Sequence, residues 1–267
     1  LLSISVAYKN CASVLLGSNP GKENTMNDTI KLVNKGHTQM IAHRGVCGLE
    51  LENTHAAFVA AGNRSYYGIE ADVHKTADGK FVIMHDDNTL RMTGDDIQIG
   101  KVSYETLRRL QLRQKDGRLG RTDLRIPSME EYLEICKYYG KKAILELKDE
   151  FSAEDIGEIC RIAESLEYMD HIVFISFKLN NLLLLKEKYP KQVVQYLVMH
   201  EIDDALIQEL ADRDMGLDAY QEMFTEQVLR KCREKGVETN AWTVNDPEMA
   251  QKLIDWGIDY LTSNILE

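Results

Sequence analysis

The stretch KAILELKDEFSAEDIGEICRIAESLEYMDHIVFISFKLNNLLLLKEKYP, Lys142–Pro190, decides the fold. Its opening run, Lys142–Lys148, is short and largely apolar, the pattern of a strand covered on both faces in a parallel sheet. Ser152 to about Leu166 then reads as a helix, Ile172–Phe177 as a second strand, and Leu179–Tyr189 as a second helix stopped by Pro190. Such alternation implies parallel strands with helices outside them.

The rhythm extends both ways. Upstream, Ser128 with Glu131 forms a capping box that opens a helix to Tyr139, and Gly140 stops it. Downstream, strands at Val193–Val198, Met215–Asp218, Val237–Val244 and Ile258–Thr262 alternate with helices at Asp203–Asp212, Thr225–Lys235 and Asp246–Trp256. The last helix has Asp246 as N-cap, Pro247 at its first position and Gly257 past its end. Nearer the N-terminus, Gln39–His43 and Gly68–Val73 are strands flanking a helix at Thr54–Ala61, capped by Asn53 or Thr54. A turn at Ala77-Asp78-Gly79 then starts a hairpin strand, Phe81–His85.

With the hairpin set aside, eight core strands and seven helices predict a (β/α)8 TIM barrel over residues 39–267. An open doubly wound sheet is the alternative, but no G-x-G-x-x-G follows the first strand. Residues 1–38 read as an N-terminal extension or linker, and about 74–127 as a small insertion after the second strand. The insertion is charged and irregular apart from a helical segment near Tyr104–Leu112, and its basic cluster from Arg108 to Arg125 reads as solvated charge.

Chemistry concentrates between Ile41 and Asp86. The apolar runs there end in His43-Arg44, in Glu70-Ala71-Asp72 and in His85-Asp86, as barrel strands do when their carboxyl ends open into a site. Alternate side chains of a strand face the same way, so Glu70 and Asp72 project together and repel unless a cation or proton sits between them. A hard divalent cation with oxygen ligands is the expected remedy. Two histidines beside it suit proton transfer near neutral pH. On the strand A-I-L-E-L-K, Glu146 and Lys148 share a face, a costly pair in an apolar strand unless satisfied there.

These pieces resemble the glycerophosphodiester phosphodiesterase family. The resemblance rests on His43-Arg44-Gly45, Glu52-Asn53-Thr54, Glu70-Ala71-Asp72 and His85-Asp86, in family order and at family-like spacing. It continues in Glu146-Leu147-Lys148, Ser176-Phe177 and AWTVN at Ala241–Asn245, and spans about Ile41 to Thr262. Leu51 stands where the family usually has proline, which loosens a loop and removes no chemical group. The resemblance implies a TIM barrel and metal-dependent hydrolysis of glycerophosphodiesters to glycerol 3-phosphate and an alcohol. It implies Glu146 as a third carboxylate ligand beside Glu70 and Asp72, with Lys148 facing the phosphate and Trp242 lining the pocket. Arg44 suits a bidentate phosphate contact, His43 and His85 divide the proton transfers, and Glu52 is expected to orient its neighbours from behind. Magnesium, calcium or manganese would suit such ligands alike. A lysophospholipase D-like enzyme or a non-catalytic binding module on the same barrel are the competing readings.

The net charge of −11 argues against nucleic acid or anionic membrane as a general partner, yet leaves room for a small anionic substrate, which needs only local positive charge and a metal. Five dispersed cysteines without a C-x-x-C read as small core residues or free thiols. His37, His55, His74, His171 and His200 read as exposed or satisfied in the core. Leu1–Ala7 and Ala12–Gly17 are mildly apolar but shorter than the roughly 18 residues of a membrane span. Leu1–Ala7 reads either as the stump of a longer anchor or signal segment or as an extension beneath the barrel, so an extracytoplasmic or membrane-anchored location is slightly favoured over a cytoplasmic one.

Overall fold

A computed structural model describes residues 28–267. The apolar runs Leu1–Ala7 and Ala12–Gly17, Cys11, and the polar arm as far as residue 27 lie outside the described residues.

The chain forms a closed (β/α)8 barrel. Its strands are β1 (Gln39–Ala42), β2 (Gly68–Lys75), β4 (Lys142–Leu147), β5 (Ile172–Ser176), β6 (Val194–Val198), β7 (Gly216–Tyr220), β8 (Thr239–Trp242) and β9 (Tyr260–Ser263). Each pairs in parallel with its neighbour, and β1 closes the ring by pairing both β9 and β2. The hairpin strand β3 (Phe81–Ile83) lies antiparallel on β2, with Val73 opposite Ile83.

The helices start where the sequence places their caps. Thr54, Ser128, Ser152, Asp203, Thr225 and Asp246 each accept a backbone N–H from the first turn, and Ser128 and Ser152 complete capping boxes with Glu131 and Asp155. Their apolar faces pack on the outside of the barrel in one large core that includes Phe58, Tyr132, Phe174 and Leu182. Inside the barrel, Ile41, Ile144, Ile175 and Leu197 fill a separate layer. Cys136, Cys160 and Cys232 are buried as free thiols.

The insertion is better ordered than its composition suggests. Leu51, Val82, Met84, Met92, Ile99, Leu107, Leu112, Leu124 and Ile126 form its own small core. Two of its arginines are anchored rather than solvated: Arg108 donates to both oxygens of Glu131 at 2.6 and 2.9 Å, and Arg121 reaches Glu50 at 2.6 Å, whereas Arg109, Arg113 and Arg118 stay exposed. Lys115 donates to the carbonyls of Cys47 and Gly48 at 2.7 and 2.6 Å. Lys115 and Arg121 fasten the insertion to the loop after β1, and Arg108 fastens it to the helix Met129–Tyr138. Residues 30–32, inside the stretch read as an extension or linker, hydrogen-bond to the C-terminal residues: Ile30 N to Ile265 O at 3.0 Å and Leu32 N to Glu267 O at 2.7 Å. Among the described residues no helix is long and apolar enough to cross a membrane.

Candidate active site

All the candidate side chains converge at the carboxyl-terminal mouth of the barrel. β2 carries Glu70 and Asp72, and in register with it β4 carries Glu146 opposite Asp72. One oxygen from each of the three carboxylates lies within 4.8 Å of the others. Lys148 follows β4 and places its ammonium 3.2 Å from Asp72 and 3.0 Å from Glu146.

The HRG turn is built by backbone geometry. Arg44 takes a left-handed conformation (φ 52°), which aims its own N–H at Glu70 Oε2, 2.7 Å away. Gly45 follows at φ 75°, where an added Cβ would lie 2.6 Å from the backbone of Ala57, so only glycine fits. The Arg44 guanidinium then lies 3.5 Å from Asp72 and donates to Glu52 at 2.8 Å. Asn53, also left-handed (φ 54°), donates to Asp72 Oδ2 at 2.7 Å.

The carboxylates are crowded out of water, and their protonation shows it. Burial, then the Asp72 charge, holds Glu70 well above the usual carboxylate range. Burial also pushes Glu146 up to about 7 against the pull of Lys148. Asp72 stays charged despite its burial because Lys148, His85 and Arg44 surround it. Burial likewise opposes the Glu52 charge, but Arg44 and Arg91 outweigh it and hold that carboxyl at about 2. With all five carboxyls (Glu52, Glu70, Asp72, Asp86, Glu146) ionised against three cations (Arg44, Arg91, Lys148), two negative charges are left over, which one divalent ion would cancel. Asp72 Oδ1 is buried beside the Lys148 ammonium, 3.2 Å away. A hard cation among Glu70, Asp72 and Glu146 therefore fits the donor set.

Both histidines have a defined tautomer. His43 Nδ1 lies 2.6 Å from Asn264 Oδ1, and the Cys47 thiol donates to the same oxygen at 2.9 Å. Two donors converging on one amide oxygen put the proton of His43 on Nδ1 and leave Nε2 as the basic nitrogen, 3.9 Å from Glu70. Burial and the neighbouring Arg44 push His43 down to about 3. His85 Nδ1 donates to Asp86 at 2.8 Å, again freeing Nε2; burial lowers this imidazole too, though Asp72 and Asp86 oppose the shift. Trp242, at the end of β8, meets Phe177 and Tyr220 edge-on, with ring centroids 5.6 and 5.9 Å away, and its buried indole N–H has no hydrogen-bond partner.

His43, Arg44, Glu52, Glu70, Asp72, His85, Glu146 and Lys148 thus form one constellation, and Trp242 stands on the aromatic side of the same mouth. Sequence reasoning missed Asn53, Arg91 and Asn264. Asn53 lay inside the Glu52-Asn53-Thr54 motif and so had a signal, whereas Asn264 lies past Thr262, where the resemblance ends. His74 is satisfied in the core, as expected, but through a carboxylate: its Nδ1 lies 2.7 Å from Asp149, and its Nε2 lies 3.3 Å from the His85 carbonyl. Deeper in the barrel Asp218, driven well above its usual range by burial and by Glu146, accepts from Asn240 at 3.1 Å.

A profile of the Glycerophosphoryl diester phosphodiesterase family matches residues 43–266. A phosphodiesterase of Oleispira antarctica, solved with its product sn-glycerol-3-phosphate, is 31% identical with a TM-score of 0.76, covering 85% of this chain and 92% of that one. A glycerophosphodiester phosphodiesterase of Caldanaerobacter subterraneus is 25% identical over 224 residues, 83% of this chain and 92% of that protein. A lysophospholipase D of Rattus norvegicus is 35% identical over 99 residues, 35% of this chain and 32% of that protein.

Proposed function

Because the chain belongs to the glycerophosphoryl diester phosphodiesterase family, and so is a phosphodiesterase, we propose that it hydrolyses glycerophosphodiesters to glycerol 3-phosphate and an alcohol with the help of a divalent cation. The observation that carries the reading is the convergence of three carboxylates between two cationic side chains and two oriented imidazoles. Glu70, Asp72 and Glu146 would hold the ion, magnesium, calcium or manganese, whose chemistry is to neutralise charge on a phosphoryl oxygen.

The residues of the chain supply the rest. The Arg44 guanidinium and the Lys148 ammonium hold the phosphodiester anion and balance the negative charge that builds on its oxygens. His85, whose Nδ1–H is bonded to the Asp86 carboxylate, removes the proton of the nucleophile at Nε2, since Asp86 stabilises the imidazolium that forms. His43, which takes a proton at Nε2 from solvent once the phosphodiester anion lies beside it, gives that proton to the departing alkoxide. The nucleophile is water or the adjacent glycerol hydroxyl; the second route passes through a cyclic glycerol phosphate. Glu52 fixes the Arg44 fork from behind.

The mouth has two unlike halves. Ionic groups lie on or just after β1, β2 and β4, whereas Phe177 follows β5 and Tyr220 and Trp242 end β7 and β8 across the ring. The phosphate belongs to the first half and the carbon skeleton of the glycerol or alcohol to the second. The exposure of Phe177 and Met199 favours, as a second reading, a lysophospholipid whose chain lies along that side. Phosphorus NMR of reactions with glycerophosphocholine, glycerophosphoethanolamine and lysophosphatidylcholine tests both readings. Glycerol 3-phosphate from the soluble diesters supports the first, lysophosphatidate alone supports the second, and phosphocholine as the phosphorus product contradicts both.

A further inference from the structure

We propose that Arg91 is a positioning residue of this active site: its guanidinium ties the insertion to the catalytic mouth and sets the placement of Arg44 and His85 relative to each other. The inference rests on the phosphodiesterase reading above.

Arg91 lies in a short helix, Leu90–Thr93, of the insertion. Its Nη1 and Nη2 donate to the two oxygens of Glu52 at 2.9 and 2.8 Å. Its Nε and Nη2 donate to the two oxygens of Asp86 at 2.7 and 3.1 Å. Each of these carboxylates also holds a reacting group. Glu52 Oε1 accepts from Arg44 at 2.8 Å, and Asp86 Oδ1 accepts from His85 Nδ1 at 2.8 Å. One planar fork thus joins the phosphate-binding arm to the proton-transfer arm. With four hydrogen bonds already made, Arg91 has little capacity left for a phosphate, so its effect passes through its two partners.

The fork also has a fixed root. Met92 is buried in the insertion core, Arg113 N donates to the Met92 carbonyl at 2.8 Å, and Arg113 Nε donates to the Thr93 carbonyl at 2.9 Å. Leu90 N donates to Asn88 at 3.0 Å. Removing Arg91 would leave two carboxylates facing each other, like charges that separate when the guanidinium between them is gone. Lysine cannot replace it, because a single ammonium does not present paired N–H groups to two carboxylates at once. The Arg91 side chain is 42% exposed while those of Glu52 and Asp86 are 7% and 16% exposed, so the vacated space opens to solvent and a small guanidinium can enter it.

The test compares wild type, Arg91→Ala and Arg91→Lys in turnover, in melting temperature and in the imidazole nitrogen resonances of His85. Arg91→Ala should lose about 10- to 100-fold in kcat, the range for groups that orient catalytic residues. Its overall fold should be kept and its His85 resonances shifted. Methylguanidinium, below denaturing concentrations, should restore part of the turnover and the His85 resonances, and methylammonium should not. Arg91→Lys should remain impaired. A kcat within twofold of wild type would overturn the inference, as would equal rescue by the two cations or a loss that merely follows melting temperature. If the wild type turns over no glycerophosphodiester, the functional reading fails by itself. The His85 resonances still decide the Arg91 inference: a shift reversed by methylguanidinium supports it, and unchanged resonances sink it.

Discussion

Replacing Glu146 with glutamine should make the metal-free protein more stable at alkaline pH while removing its response to divalent ions. Glu146 has an ordinary value of 4.5 and is pushed up to about 7, by burial first and by Asp72, with Lys148 opposing. The unfolded chain releases that proton near 4.5, whereas the metal-free fold retains it until about 7. The fold therefore binds more protons across this window, and its metal-free stability falls as pH rises through it. At about pH 8 the loss reaches about 3 kcal/mol. Glutamine has no proton to give up and leaves Lys148 paired with Asp72 at 3.2 Å. In EDTA at about pH 8 the variant should melt about 5–10 °C above wild type, and at about pH 4 the advantage should vanish. Magnesium or calcium should raise the wild-type melting temperature and leave the variant nearly unmoved. A variant no more stable than wild type in EDTA at the higher pH, or one that responds to metal like wild type, would refute the picture of three carboxylates awaiting a cation.

Other consequences concern proton transfer. His43→Ala and His85→Ala should each lower kcat by about 10²- to 10⁴-fold with circular dichroism unchanged, and near-normal turnover in either would remove that imidazole from the chemistry. Asn264→Leu takes away the acceptor that fixes the His43 tautomer and should cost about 10- to 100-fold in kcat. Asn264→Asp keeps the acceptor and should recover most of it; equal activities would show that the amide orients nothing. His85 is lowered from 6.5, burial being the largest cause, so activity that needs its neutral form should persist below pH 6.5 and disappear as pH falls through the lowered value. Asp86→Asn removes a group that raises His85, so the acid limb should move to still lower pH; a move upward would contradict the pairing.

The barrel was legible because its signals are local. Apolar runs marked the strands, and Ser128 with Glu131 or Asp246 with Pro247 marked helix starts that depend on neighbours a few residues away. Ends were less sharp: the hairpin strand stops at Ile83 rather than His85, and β8 covers Thr239–Trp242 inside the longer strand expected over Val237–Val244. In the site, Glu70, Asp72 and Glu146 announced themselves as charges inside apolar strands. Arg91 did not, because it sits in a charged, irregular segment and its meaning depends on Glu52, 39 positions earlier. His74 and Asp149 are separated by 75 positions, and no periodicity reports such a pair. Composition misled for Arg108 and Arg121, since a run of basic residues looks alike whether solvated or anchored to Glu131 and Glu50.

The most direct test of the central claim is release of glycerol 3-phosphate from glycerophosphocholine by the wild-type protein, measured after EDTA and again after magnesium or calcium is restored. The account predicts release that EDTA abolishes and a divalent ion brings back. Undiminished release in EDTA would contradict the role given to Glu70, Asp72 and Glu146, and no release with the ion restored and the protein folded would contradict the substrate.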